Sequence, residues 1–485
     1  MLDVARRPIR LGARRAWAVV ALAVGAAAAW LPFVTLPLRP DEGGFLMVAS
    51  QWSPGTSLYG DYWVDRPPLL IALFQLADLG GGAVALRLLG VVAVVASVLL
   101  ASELGRRLAP ERPMAAVAGA ATAAVFLATP FFGTTEVDGE LLAVPFVLGG
   151  LVALVRGWWA VAGALAVAAA GVKQSEIDVV LAAALVAGTM LWRRRPVDCL
   201  RAVAAFAAGA VAALGVVLWW AAIHGTDPAG LWDAVITFRG EAAEVISTSA
   251  SDATDQRAHL LVTSFLVSGA AGLLVVALLP ARRRRRALET TPVDVRLLAL
   301  VLLAWETAVV VAGGSYWLHY LIATVPGLVV LALAIVRHRP ERWRWLGGVL
   351  GYAGVTAIAS VVSLLVVAQP TPSALAVESY LAAHKSPGDT GVVAFGDPAL
   401  LEGAGLSSPY PLLWSLLVRV RDPHLTHFTR VLEGPERPTW VVVDGASLAT
   451  WGVDDTVAQP VLDDTYDLRR VIGDWHIYHL APQVR

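Results

Sequence analysis

The stretch from Ala16 to Glu42, AWAVVALAVGAAAAWLPFVTLPLRPDE, decides the fold class. Its apolar run, Ala16 to Leu38, is long enough to cross a bilayer, because roughly 20 helical residues at about 1.5 Å each cover the ~30 Å hydrocarbon core. Arg6, Arg7, Arg10, Arg14 and Arg15 precede the run, and the adjacent acids Asp41 and Glu42 follow it. A cleaved secretory signal has the same order of basic end and apolar core. This run is long for a signal, however, and apolar stretches of similar length recur to about residue 368. It therefore reads as a retained first helix, basic end in the cytoplasm, of a multi-pass protein of the plasma (inner) membrane.

Composition agrees. The 485 residues are 57% hydrophobic and only 15% charged, with a mean hydropathy of +0.66, outside the range of soluble domains. The net charge of −1 gives no reason to expect a nucleic-acid partner. The single cysteine, Cys199, excludes an intramolecular disulfide and a cysteine-based metal site, and reads as a small apolar filler near a membrane face.

The arginines set the sidedness. Short cytoplasmic loops carry excess Lys and Arg, and here the clusters are Arg106/Arg107, Arg156, Arg193 to Arg195, Arg282 to Arg286 and Arg337 to Arg344. Eleven spans, at about 16–38, 82–102, 113–132, 139–155, 158–172, 177–192, 199–223, 259–280, 296–313, 318–336 and 346–368, place every cluster on the cytoplasmic side when the N-terminus is inside. The run Arg282 to Arg286 then reads as a topology signal that also attracts anionic lipid. The expected fold is an all-α polytopic membrane domain over 1–368, with its first outer loop at 39–81, followed by an extracytoplasmic domain over 369–485. In that tail QPTPS reads as a linker, TGVVAFGD and PTWVVVDG as short strands ending in turns, and the stretch between them as helix, which makes a small α/β domain.

The acids fall on the outer side: Asp41, Glu42, Asp61 and Asp65 with Arg66 in the first loop, Glu136, Asp138 and Glu140 in GTTEVDGE, Glu176 and Asp178 with Lys173 and Gln174 in GVKQSEID. Outer loops also hold Arg239, and His319 with Tyr320. In the first loop GGFLMVASQW is helix-like with Phe45, Val48, Ala49 and Trp52 toward one face, and DRPPLLIALFQLA starts a helix with Pro67 in its first turn. Both read as interfacial helices against the outer leaflet. A carboxylate at a helix start is commonly a cap, favoured by the macrodipole, and that account suits Asp41, Glu42 and Asp65 taken singly.

Taken together the motifs are more specific. RPDEGGF after the first span, then YWVDRPPLL, TTEVDGELLAVP, VKQ and SYWLHYLIATVPGLVVLAL, in this order and on one side, resemble the GT-C glycosyltransferases of the protein-O-mannosyltransferase and aminoarabinose-transferase superfamily over about residues 15–370. The second motif usually carries lysine where this chain has Arg66, which keeps the charge but presents a planar fork. The resemblance implies inverting transfer of a sugar from a polyprenyl-phosphate donor to a glycan, lipid or protein acceptor on the outer face. It assigns Asp41 as general base. Glu42 then either orients the acceptor or caps its helix. Arg66, Lys173, His319 and Arg239 are candidates for the lipid phosphate. Asp65, Gln174 and Tyr320 join them as substrate-binding residues, and Glu136, Asp138 and Glu140 would bind either acceptor or a divalent ion. No spacing is diagnostic of a metal, so no metal ligand is assigned; no cofactor is certain, a divalent metal stays open, and the lipid-linked sugar is a substrate.

Two other classes remain open on the residues. A transporter or flippase for a lipid-linked or polar substrate would place ionisable groups at mid-membrane, and Glu306 in LLAWETAVV is the one acid so placed. A non-catalytic scaffold presenting the tail would need none of the acidic motifs.

Overall fold

The apolar segments become helices, as backbone polar groups in hydrocarbon require. The computed structural model describes residues 12–51, 57–248, 252–279, 294–367 and 372–482. The expectations for Arg6, Arg7, Arg10, Trp52, Arg282 to Arg286 and most of the QPTPS linker lie outside these residues. By contacts the chain forms two units: Met1–Val34, Arg87–Val217 and Ala250–Val366 in the first, and Thr35–Leu86, Leu218–Ser249 and Val367–Arg485 in the second.

Among the described residues seven helices are long and apolar enough to cross a membrane: Ala13–Phe33, Ala83–Leu108, Gly139–Arg156, Pro196–Ile223, Val295–Ala312, Leu318–His338 and Pro340–Val367. An eighth candidate, Asp252–Val267 with Ala270–Leu278, is bent by 60°. The bend falls at Gly269, whose φ of +91° breaks the helical run in a conformation open to glycine. Ala115–Phe126, Trp159–Val172 and Asp178–Trp192 are apolar but shorter, and stand where the three remaining expected spans lie.

Close packing in the first unit relies on small residues. Gly163 abuts the carbonyl of Phe206, and Gly209 abuts that of Ala160, so the two helices meet backbone to backbone. The unit also has chemically distinct ends. At one, Glu103 pairs with Arg106 (2.8 Å), Arg107 (2.8 Å) and Arg156 (2.6 Å). There too Arg337 donates to the carbonyl of Leu108, Arg339 to that of Leu279 at 2.7 Å, and Arg342 to those of Val276 and Leu279. These guanidinium groups satisfy carbonyls that helix ends leave open. At the other end Arg87, 1% exposed, donates to the carbonyls of Phe33 (2.8 Å) and Thr135 (2.9 Å).

The second unit contains the α/β tail. Strands β1 (Gly391–Ala394), β2 (Trp440–Asp444), β3 (Tyr466–Ile472) and β4 (Trp475–Leu480) form one sheet in the order β1-β2-β4-β3. β1 and β2 are parallel, and β4 is antiparallel to both its neighbours. The expected strands are β1 and β2. The intervening stretch supplies helices Ala399–Ala404 and Ser415–Arg421. The tail's core of Val392, Val441, Tyr410 and Phe428 also takes in Phe238 and Ala242, from the helix Phe238–Thr248.

One expectation is corrected here. The helix Pro40–Ser50 is not an interfacial helix with one wet face, since Glu42 to Ala49 are all buried. The tail covers the remaining side: Gly43 lies against Ala399, and Gly44 against Pro398 and Trp414.

Candidate active site

In the second unit the sequence-nominated residues Asp41, Glu42, Asp65 and Arg66 come from the first loop and Arg239 from the helix Phe238–Thr248. Pro40 starts the helix at a position where its missing N–H costs nothing. Glu42 is fully buried, and its Oε2 accepts from the backbone N–H of Arg39 at 3.0 Å, so it caps the helix. Asp41 remains partly exposed, and its Oδ1 accepts from the indole N–H of Trp414 at 2.9 Å.

Phe45, one turn further on, has its ring 5.2 Å from that of Trp414 and 5.5 Å from the guanidinium of Arg66. Arg66 pairs with Asp65 at 2.6 Å, and Arg239 pairs with the other oxygen of the same carboxylate. Asp65 is 5% exposed, so a buried acid is held between two guanidinium groups. Tyr59 donates its hydroxyl to the carbonyl of Arg66 at 2.9 Å. The loop between these residues is fixed by Thr226, whose Oγ1 accepts from the N–H of Leu58 at 2.7 Å, and by Gln51, whose amide oxygen accepts from that of Tyr62 at 2.7 Å.

In the first unit a separate cluster unites Glu136, Asp138, Glu140, Lys173, His319 and Tyr320. Asp138 caps the helix Gly139–Arg156, accepting from the N–H of Leu141 at 2.8 Å. His319 Nδ1 lies 3.4 Å from Glu136 and 3.8 Å from Asp138, and its Nε2 lies 4.0 Å from Glu140. Lys173 is ion-paired with Glu140 and sits 4.8 Å from the centre of the Tyr320 ring. Gln174 follows Lys173 in the loop to the helix Asp178–Trp192 and is half-buried.

Burial pushes the Asp138 carboxyl up to about 6, against the opposing pull of His319. Burial, reinforced by Asp178, pushes Glu176 up to about 8. The donor atoms of Asp138, Glu140 and His319 all lie within 4.8 Å of one another, and these are the described residues that could hold a divalent ion. Two carboxylates with an imidazole suit such an ion, although Lys173 already neutralises Glu140.

Sequence reasoning named the acids and bases but not their partners. Glu140, first grouped with its neighbours, is the residue Lys173 pairs with. Glu176 is buried beside the cluster, which no periodicity signals. Trp414 gave no signal at all. Glu306, the mid-membrane acid, accepts from the N–H of Gly327 at 2.8 Å, a contact joining two helices.

No protein-family model matches the sequence, and no curated protein matches it. Among solved structures, the chain resembles ArnT from Cupriavidus metallidurans in the apo state, with a TM-score of 0.60 and 16% identity over 97% of this chain and 100% of that one. It also resembles ArnT from Cupriavidus metallidurans bound to undecaprenyl phosphate, with a TM-score of 0.57 and 17% identity over the same shares. At these identities the likeness is one of fold: a polytopic helical membrane part with a small α/β tail, as in ArnT.

Proposed function

We propose that this chain is an inverting glycosyltransferase that moves a sugar from a polyprenyl-phosphate carrier to an acceptor on the extracytoplasmic face of the plasma membrane. The observation that carries the proposal is Asp41: a partly exposed carboxylate at a helix start, fixed through one oxygen, in a fold shared with a protein solved with undecaprenyl phosphate. The membrane part, 1–368, would hold the lipid tail, with 369–485 outside.

In this reading Asp41 takes the proton of the acceptor hydroxyl as that oxygen attacks the anomeric carbon. The bond from that carbon to the phosphate oxygen breaks, and the carrier phosphate leaves with the electron pair. Because phosphate is already a good leaving group, no second carboxyl need act as acid, unlike glycoside hydrolysis. Arg66 and Arg239 offer forked donors for phosphate, with Asp65 holding both in place. Lys173, Gln174, His319, Tyr320, Glu136 and Asp138 are substrate-binding residues of the other unit. Glu42 has a structural role as cap.

The test is incubation of purified protein with a panel of radiolabelled polyprenyl-phosphate sugars and cell-envelope acceptors. Label should move to an acceptor with the parent protein and fail to move with Asp41→Asn. Movement of intact lipid-linked sugar across proteoliposomes, with no transfer, would instead establish a flippase.

A further inference from the structure

We propose that Trp414 is a positioning residue for Asp41, so that the C-terminal domain completes the catalytic machinery; this rests on the glycosyltransferase reading above. The two residues are 373 positions apart, yet the indole N–H meets the carboxylate oxygen at 2.9 Å. An indole nitrogen only donates, so the contact has one polarity and selects the carboxylate as its acceptor. With Oδ1 held, the rotation of the carboxylate is set and Oδ2 is the oxygen left to meet an acceptor proton. A general base must be held to within a fraction of an ångström of its proton, and a short Asp side chain at the mouth of a helix has few other means of being held.

The surroundings are built for this contact. Gly43 and Gly44 directly follow the acidic pair, and each costs a helix roughly 1 kcal/mol relative to alanine. Here they permit close approach: a methyl at Gly43 would strike Ala399, and one at Gly44 would strike the Trp414 ring. Phe45 packs its ring at 5.2 Å against the same indole. The segment leading to Trp414 is pinned to the first loop: the N–H of Ser408 donates to the Tyr62 hydroxyl at 2.9 Å, and that of Trp63 to the carbonyl of Pro411 at 3.0 Å. Thus Ser408 to Trp414 fixes both the loop that carries Asp65 and Arg66 and the side chain of Asp41.

The discriminating variant is Trp414→Phe, which keeps a ring over Gly44 and beside Phe45 and deletes the donor. Transfer is followed with the synthetic undecaprenyl-phosphate sugar that the parent uses, and donor affinity by titration with undecaprenyl phosphate itself. The variant is expected to lose about 10- to 100-fold in kcat, the worth of a hydrogen bond to a charged group, with donor affinity and thermal midpoint unchanged. Trp414→His, which restores an N–H donor on a smaller ring, is expected to recover part of the loss. A Trp414→Phe enzyme with parental kcat overturns the proposal. So does a variant whose affinity and thermal midpoint fall in step with kcat, which would mark Trp414 as packing alone. A parent that transfers no sugar from any donor sinks the glycosyltransferase reading itself, and the proposal with it, a result separate from either variant outcome.

Discussion

At the scale of single residues, the chemistry turns on what each carboxylate is paired with. Asp41 meets a neutral indole and Asp65 meets two guanidinium groups, so the two acids serve different ends: one is oriented, the other is neutralised. Asp41→Asn keeps an oxygen able to accept from Trp414, so the variant is expected to fold with a thermal midpoint close to the parent's. Its transfer rate is expected to fall by at least about 100-fold, the lower bound for a lost general base. Near-parental turnover would remove Asp41 from the mechanism. Arg66 carries two roles, a partner of Asp65 and a candidate phosphate ligand, and substitution separates them. Arg66→Lys keeps charge without the fork and is expected to weaken undecaprenyl-phosphate binding moderately, while Arg66→Ala weakens it by a further factor of ten or so, as befits a charged hydrogen bond. If both variants titrate like the parent, Arg66 serves only to hold Asp65 and the start of the helix Pro68–Leu79.

At the scale of elements, membrane helices are held by shape and the helix Pro40–Ser50 by tail contacts. Gly163→Leu or Gly209→Leu would push a side chain into the backbone of the facing helix. Each is expected to cost several kcal/mol, beyond the 1–3 kcal/mol usual for overpacking because backbone cannot move aside, and to appear as lost yield in detergent. In the tail, Glu402 on the helix Ala399–Ala404 is half-buried, and its partial burial first, then the charge of Asp78, pushes its carboxyl up to about 7. The folded chain therefore keeps a proton that the unfolded chain releases above its ordinary 4.5, and stability falls as pH rises from there to about 7. Glu402→Gln is expected to raise the thermal midpoint above pH 7, by the equivalent of about 1–3 kcal/mol, with the gain vanishing near pH 4.5; an equal gain at both pH values would exclude the linkage. These elements also show what was legible beforehand. The membrane segments could be read because apolarity over about 20 residues is a local property, and β1 and β2 because β-branched runs ending in Gly or Asp are local too. The hairpin of β3 and β4 went unread although Gly473, at φ +61°, turns the chain between them, because charged residues interrupt YDLRRVI. The enclosure of Pro40–Ser50 was illegible in principle, since its cover comes from Pro398, Ala399 and Trp414. The same holds for His319 meeting Glu136 and Asp138: the sequence names each, and only the fold shows that they meet.

At the scale of the whole molecule, the side on which the tail emerges depends on the bent pair Asp252–Val267 and Ala270–Leu278 and on one short helix. Trp159–Val172 and Asp178–Trp192, at 14 and 15 residues, are a pair, and counting or discounting both leaves the parity unchanged. Ala115–Phe126, at 12 residues, has no such partner. Alone it covers about 18 Å, well short of the ~30 Å hydrocarbon core. Its surroundings nevertheless place its termini at opposite ends of the first unit. It begins a few residues after Arg106 and Arg107, which share Glu103 with Arg156. It is followed by Leu127, whose carbonyl receives the indole N–H of Trp30 at 2.8 Å, and by Thr135, whose carbonyl receives Arg87 along with that of Phe33 at the end of the first span. Residues 115–132, including the turn Pro130–Phe132, therefore make the passage together. Seven helices among the described residues, or eight with the bent pair, have the length of a span, and the count of eleven expected from the sequence needs this crossing and the short pair as well. With eleven crossings the positive-inside rule predicts a cytoplasmic arginine-rich end and an extracytoplasmic tail. A phosphatase reporter joined after Arg485 is expected to be active in intact cells, and a reporter that works only in the cytoplasm to be silent there. The opposite pair of results would mean an even number of crossings, would put the tail and Trp414 in the cytoplasm, and would be incompatible with an acceptor site on the outer face.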